Sequence, residues 1–418
     1  SKDEVMSLCE ISLLILLHKK TREWVHPILK TRERNGEYHH LMRDLKDDPD
    51  KFRTYFRLSP ELFAHLLTLV TPKIEKIHTN MREPISPEER LAICLSTILN
   101  YRMIKFSFYF LQPGTPPLLV STTMWGTQQF VSKAIWDVLQ PEYKPEPTME
   151  DWNAIEEGFR ERWNFPNCIG ALDGKHVVLQ APPSSGSKYY NYKGSHSIVL
   201  LAVVDAHYMF RVIDAGGYGR NSDGGILSES PLGKHLKAGT LSIPEDTTLQ
   251  GSEHLGPMPH VLVADEAFSL QRHIMTPYPG KNLERNNRCY NYRLSRARRI
   301  VENAFGILST QWRVYRRVLG ICPKKADRIV KATCVLQNYM RKNGEVDRAI
   351  PQASLTDNMT TNDGLQPIPH TGSNNSSRET YKIRDKFCDY FSSPGSMTLF
   401  EILMTTCPLF SEHFHFSF

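Results

Sequence analysis

The sequence predicts an α/β fold, a mixed sheet covered by helices and preceded by a helical region. Three observations predict it. Up to about residue 150 the apolar residues recur at helical spacing. From about residue 167 they gather into short β-branched runs separated by polar turns. Near the end of that region, residues 293–319 spell out one long amphipathic helix.

Residues 1–50 are charged and helix-prone, an N-terminal helical lead. Ser59-Pro60-Glu61 starts a helix, with proline in the first turn, and Leu62, Leu66, Leu69 and Val70 follow at helical spacing. Ser86-Pro87-Glu88-Glu89 starts another, with Leu91, Cys94, Leu95 and Ile98 on one face. These starts define a helical domain over 51–150, interrupted by Pro113, Pro116 and Pro117. "NCIGAL", "HSIVLLAVVD" and "YMFRVID" then read as strands, the last two joined by the short turn "DAHY". "RNSDGGILSESPLGKHLKAG" is partly helical, and a loop rich in Pro, Gly and Ser runs to about 259. "HVLVADEAF" is a short buried strand that runs straight into acid. In the long helix, Val301, Phe305, Leu308 and Trp312 form the apolar stripe. The α/β domain therefore spans 151–345, and the polar segment after it opens a mostly disordered tail over 346–418.

Composition narrows the class. The chain has 418 residues, 40% hydrophobic and 23% charged, which is ordinary for a soluble globular protein, and a net charge of +6 leans toward anionic partners. Eight cysteines contain no CxxC pair, which argues against a zinc ribbon or a stapled secreted scaffold and fits a reducing compartment. The early run "ISLLILL" is too short to span a bilayer and lacks the flanks of a signal peptide, so no membrane and an intracellular location are expected.

Three acids stand out by position. Asp173 lies in the first strand or at its turn, since Asp-Gly between apolar runs is also a hairpin signal. Asp265 ends the buried run "VLVA", where open α/β sheets place ligands. Glu302 sits at the edge of the apolar stripe of the long helix, beside Arg298 and Ser295. A single acid chosen from sequence is most often a cap, a turn residue or a surface charge. Three carboxylates that converge without a Cys or His cluster suit a hard cation, Mg²⁺ or Mn²⁺. The glycines of "DAGGYGRNSDGG" do not form a dinucleotide-binding fingerprint.

The segments "CIGALDGKHVVLQAP", "KYYNYKGSHSIVLLAVVDA", "VLVADEAFSL" and "RRIVENAFGILSTQWRVY" resemble, in the same order, the PIF/Harbinger DDE transposases and the nuclease derived from them. The resemblance covers about residues 160–340, and "WVHPILKTRERNGEYHHLMRDLKDDPDKFRTYFRLSPELF" is similar to that family's N-terminal region. It implies an RNase H-like core that cleaves DNA phosphodiester bonds by a two-metal mechanism. Asp173, Asp265 and Glu302 would be the catalytic, metal-binding triad. Thirty-six residues separate the last two, close to the spacing of such enzymes. It also puts Asp173 within the first strand. Asp223 matches a family acid placed before a helix, where it would be a fourth metal ligand, although Ser222 or Asp223 is equally a helix N-cap. Asp205 and Asp214 read as structural, with Asp205 the rival if another acid serves.

From Arg285 to Arg317 there are nine arginines, and Glu302 is the only acid. Arg298 and Arg299 would hold a phosphate backbone beside the metal site. Lys175 shares a strand face with Asp173. Lys188 and Lys193 alternate with Tyr189, Tyr190 and Tyr192, which would line a nucleic-acid groove or form an ordinary strand edge. The family's N-terminal region is helix-turn-helix-like, but residues 106–128 and 396–418 depart from its pattern. The expected partners are DNA, a Myb-like DNA-binding protein and a second copy of the chain, in the nucleus and also the cytoplasm. The alternative is a domesticated, catalytically silent nuclear protein that binds DNA or the Myb-like partner.

Overall fold

The computed structural model describes residues 37–77, 84–100, 117–280, 282–345, 365–367 and 376–393. The chain divides into two compact units, 1–131 and 132–418.

The first unit is helical: α1 (Glu37–Lys46), α2 (Pro49–Phe56), α3 (Pro60–Ile74), α4 (Pro87–Asn100) and the start of α5 (Pro117–Tyr143). The helix starts read from sequence are capped as expected. Ser59 Oγ accepts from Leu62 N at 3.3 Å and Ser86 Oγ from Glu89 N at 3.2 Å, each satisfying an orphan donor of the first turn. Phe52, Phe56 and Phe63 form a ring cluster with centroids 4.9–5.3 Å apart, continued by buried Leu66, Val70, Leu91, Leu95 and Ile98. Pro113 and Pro116 lie outside the described residues, and Pro117 is the first residue of α5.

The second unit opens with the rest of α5 and with α6 (Met149–Trp163), whose Thr148 and Asp151 make a reciprocal capping box. The sequence-read boundary at 150/151 therefore falls in the first turn of a helix. Next come β1 (Cys168–Leu179), β2 (His196–Val204), β3 (Phe210–Tyr218), α7 (Asp223–Glu229), α8 (Pro231–Ala238), β4 (Val261–Val263), β5 (Ile274–Met275), α9 (Arg285–Gln311), α10 (Pro323–Lys342), β6 (Leu365–Pro367) and α11 (Arg378–Ser392). The sheet order is β3-β2-β1-β4-β5, with the first three strands antiparallel and β4 and β5 parallel to β1. β4 covers only the first part of β1, and β6 pairs Lys175–Val177 beyond it.

The central strand is buried along nearly its whole length, so its side chains must be apolar or paired. At Gly170, beside a bulge, a Cβ would strike Val203 of β2 and lie 3.1 Å from Leu262 of β4; only glycine lets both neighbours close in. The β2–β3 turn is built by Asp205. Its Oδ1 accepts from His207 N (2.8 Å) and Met209 N (2.9 Å), and its Oδ2 from Arg211 Nε (2.7 Å). Asp205 is thus engaged through both carboxylate oxygens in the turn. α6 and α9 pack on β1, and α10 packs on β2 and β3. Buried Asn338 pins α10, accepting from Phe210 N and donating to Phe210 O and Tyr143 O, each at 2.9 Å.

Part of the segment read as a disordered tail is ordered. α11 is capped by Ser377 and lies on α9, with Phe387 and Phe391 buried. Phe391 meets Phe165 at 4.9 Å and Tyr290 at 6.2 Å, under the guanidinium of buried Arg293 at 5.4 Å. Residues 396–418 lie outside the described residues.

Candidate active site

Asp173 is no hairpin tip. It lies mid-strand, opposite Ala202 of β2, and is 4% exposed. Its Oδ1 accepts from Gly174 N at 2.8 Å. Its Oδ2 is buried without an aligned hydrogen bond, and the Lys175 ammonium stands 3.1 Å away as an ionic contact. Strand alternation accounts for the pair, because residues two apart share a face.

The other two acids come from flanking elements. β1 and β4 run parallel with Ala171 beside Val263, and Asp265 follows two residues after the end of β4. Half-buried Asp265 accepts from Ala267 N at 3.0 Å, fixing the turn after the strand. Glu302 lies on α9, which packs on β1 with the Phe305 ring 5.8 Å from Lys175 Nζ. One turn earlier on α9, Arg298 Nη1 donates to Glu302 Oε1 at 2.8 Å.

The charges answer one another. Burial pushes the Lys175 ammonium down, but Asp173 and then Glu302 outweigh it and hold its pKa above the ordinary value against Arg298. Lys175 thus feels both acids. Among the described residues, no three His, Cys, Asp or Glu side chains form a group that could hold a metal. Instead, two acids of the expected triad are paired with cations of their own chain. Asp223 is the first residue of α7, whose N-cap is Ser222, accepting from Gly225 N; its side chain lies outside the described residues.

The basic residues divide. Arg299, Lys188 and Lys193 are exposed, and Arg298 is largely spent on Glu302. Arg293, one of the nine arginines, is turned inward and donates to Asn164 O at 2.8 Å, so the arginine run is not one solvated face. Sequence reasoning missed this structural arginine, whose buried position follows from its place between Tyr290 and Leu294.

His176, also absent from the sequence reading, points away from Lys175 into the core. It is fully buried, with Nδ1 sharing a 2.9 Å hydrogen bond with Ser197 Oγ. Burial, then Lys193 and Lys175, push its pKa from 6.5 down to about 4. The unfolded chain takes a proton as pH falls below the ordinary value, while the folded one resists until about 4. Stability is therefore complete above about pH 6.5 and lost as pH falls through that window. Urea unfolding is expected to show about 2 kcal/mol lost between about pH 7 and about pH 5, a slope that His176→Asn flattens.

With this geometry in place, comparison with known proteins shows what the chain is similar to. Residues 172–338, which contain all four sequence-identified acids, match the profile of the DDE superfamily endonucleases. It is this segment, residues 172–338, that is similar to the DDE superfamily endonucleases. The chain is similar to the Arabidopsis thaliana Protein ALP1-like, 25% identical over 70% of this chain and 71% of that protein. It is 27% identical to human HARBI1, whose name marks it as a candidate nuclease, over 46% of this chain and 51% of that protein, so the match spans about half of the relative's length. The Arabidopsis protein named Antagonist of like heterochromatin protein 1 is 23% identical over 72% of this chain and 75% of its own. No solved structure matches. No helix among the described residues is long and apolar enough to cross a membrane.

Proposed function

We propose that the chain is a divalent-metal-dependent DNA nuclease, with Asp173, Asp265 and Glu302 as the catalytic carboxylates and Asp223 as an accessory ligand. The observation that carries this reading is the carboxylate of Asp173, buried mid-strand with its Oδ2 met by the Lys175 ammonium at 3.1 Å, a cation held where a metal ion would sit. An oxygen-only donor set fits Mg²⁺ or Mn²⁺, and Lys175 stands where positive charge is needed. Bound ions would activate a water or hydroxyl and stabilise the leaving oxygen of a phosphodiester. Arg298 and Arg299 on α9, with Lys188 and Lys193 on the β1–β2 connection, hold the DNA backbone. A Myb-like partner, self-association and a nuclear and cytoplasmic location complete the proposal.

The test is nicking of supercoiled plasmid with Mn²⁺ or Mg²⁺. Wild type is expected to nick and Asp265→Ala to be inactive, with EDTA abolishing the activity. A second reading has its own support: Lys175 and Arg298 already neutralise Asp173 and Glu302, as in a silent DNA-binding descendant. Salt-steep DNA binding without nicking by folded wild type would favour that reading.

Lys175 then competes with the metal for Asp173. Lys175→Met is expected to tighten Mn²⁺ binding about tenfold in calorimetric titration, because it removes a like charge from the site. Unchanged affinity would show that the ammonium does not occupy the ion's place.

A further inference from the structure

The parallel strands β1 and β4 begin side by side, and a cavity of about 430 Å³ opens where they begin. The residue before each strand lines it: Asn167 before β1 and His260 before β4, both buried. Asp265 follows β4 at its other end, so the cavity lies away from the proposed catalytic carboxylates. Along β1, the step from Asn167 to Asp173 covers roughly 20 Å at the strand rise of ~3.3 Å per residue.

The floor is tied together by Asn167, which sits in left-handed backbone at φ 54°, a conformation asparagine tolerates. Its Nδ2 donates to Met258 O at 3.0 Å and its Oδ1 accepts from Thr247 Oγ1 at 3.1 Å, which fixes the loop before β4. Its backbone N–H donates to Glu156 Oε1 on α6 at 3.1 Å, and its carbonyl accepts from Val261 N at 2.7 Å. The cavity is therefore built into the fold before any ligand arrives.

Charge sets what it takes. Two arginines and one glutamate line it, a net charge of +1 with histidine neutral. Arg293, on α9, is 2% exposed and brings a buried positive charge to the wall, with Nη1 donating to Asn164 O at 2.8 Å. Arg160, on α6, is half-exposed, with Nε 3.7 Å from Glu156 Oε1. The one carboxylate is thus engaged by a backbone N–H and a guanidinium. His260 Nδ1 is buried and makes no hydrogen bond. Burial outweighs Glu156 and the carbonyls of Pro244 and Glu245 and holds the imidazole below its ordinary pKa, so it is neutral at pH 7. A neutral imidazole nitrogen can donate or accept, and a buried one without a partner is what a ligand satisfies.

We propose that this cavity binds the phosphoryl group of a small phosphate, either a mononucleotide or free phosphate, at a site separate from the carboxylates. A tetrahedral dianion offers acceptors to guanidiniums arriving from two different helices. The volume lies in the range of small-molecule pockets and leaves room for a nucleoside beyond the phosphoryl group. The site stands independently of the nuclease reading, because no residue assigned to the carboxylate site lines it.

The test is isothermal titration calorimetry of the whole chain, without metal and at fixed ionic strength, with thymidine monophosphate, inorganic phosphate and thymidine. Thymidine monophosphate is expected to bind saturably at one site, phosphate to compete with it, and thymidine to bind at least about tenfold more weakly. Arg160→Gln is expected to weaken the monophosphate about tenfold; its ion pairs are at the surface, so the fold is expected to hold. Thr248→Trp, at an exposed lining residue, fills the cavity without changing its charge and is expected to weaken binding at least as much. Arg162→Gln, exposed on the same helix but outside the cavity, is the control and is expected to stay within about twofold of wild type. A monophosphate about tenfold tighter than phosphate assigns the site to a nucleotide, and equal affinity assigns it to free phosphate; either supports the site. No saturable binding by folded wild type, thymidine binding as tightly as its monophosphate, equal loss in the Arg160 and Arg162 variants, or undiminished binding by Thr248→Trp would overturn it.

Discussion

Asp173→Asn is expected to reduce metal-dependent nicking by about 100-fold or more, because a bound metal supplies several kcal/mol of charge stabilisation and each 1.36 kcal/mol is a factor of ten. The loss would come from charge and not shape, since asparagine is nearly isosteric and the strand register to Ala202 does not involve the carboxylate. The substitution also strips Lys175 of its partner. The Lys175 side chain is only 16% exposed, and a buried charge left alone destabilises the fold. Asp173→Asn/Lys175→Met separates the two effects. It is expected to regain the wild-type unfolding midpoint to within about 1 kcal/mol while remaining inactive, because no unpaired charge is left. Recovery of nicking in the double variant would mean that Asp173 serves only to neutralise Lys175.

Phe391→Ala is expected to cost about 3–5 kcal/mol in urea unfolding, the range for removing a fully buried aromatic ring. Its ring joins α11 to the α6–β1 connection through Phe165 and to α9 through Tyr290 and Arg293. Around it, Tyr278 donates to Asp385 at 2.6 Å, and Arg384 stacks over Tyr278 at 4.0 Å. These contacts follow the ring and would be lost with it. A cost below about 1 kcal/mol would mean that α11 is not docked in solution. Tyr381→Ala, at a residue 40% exposed on the same helix, is the control and is expected to change stability by less than about 1 kcal/mol.

The sheet and its principal helices were legible because their signals are periodic. The apolar runs of β1–β4, the stripe of α9 and the Ser-Pro-Glu starts of α3 and α4 each follow from backbone geometry that any sequence must obey. Asp173 was ambiguous on local grounds, since Asp-Gly fits a turn as well as a strand, and four motifs in order resolved it. What escaped had no period or was masked by its surroundings. β5 has two residues and β6 three, too few for alternation. α11 does carry the signal in Ile383, Phe387 and Phe391, four residues apart, but it sits within a polar stretch that reads as tail. The pairing of Lys175 with Asp173 was half visible as a shared strand face; the burial that makes it strong depends on α9 lying over β1, which no local pattern states. Arg293 and His176 were missed for the same reason: a charged or titratable residue in the core is explained only by its tertiary partners.

On the proposed reading, these carboxylates form a divalent-metal site once the ion displaces the lysine. Calorimetric titration of Mn²⁺ into wild type and Asp173→Asn/Asp265→Asn, at equal ionic strength, tests it directly. The expected result is a saturable site in wild type, weakened at least about 100-fold in the double variant. Equal affinity in the two folded proteins, or no saturable binding by wild type, would contradict it.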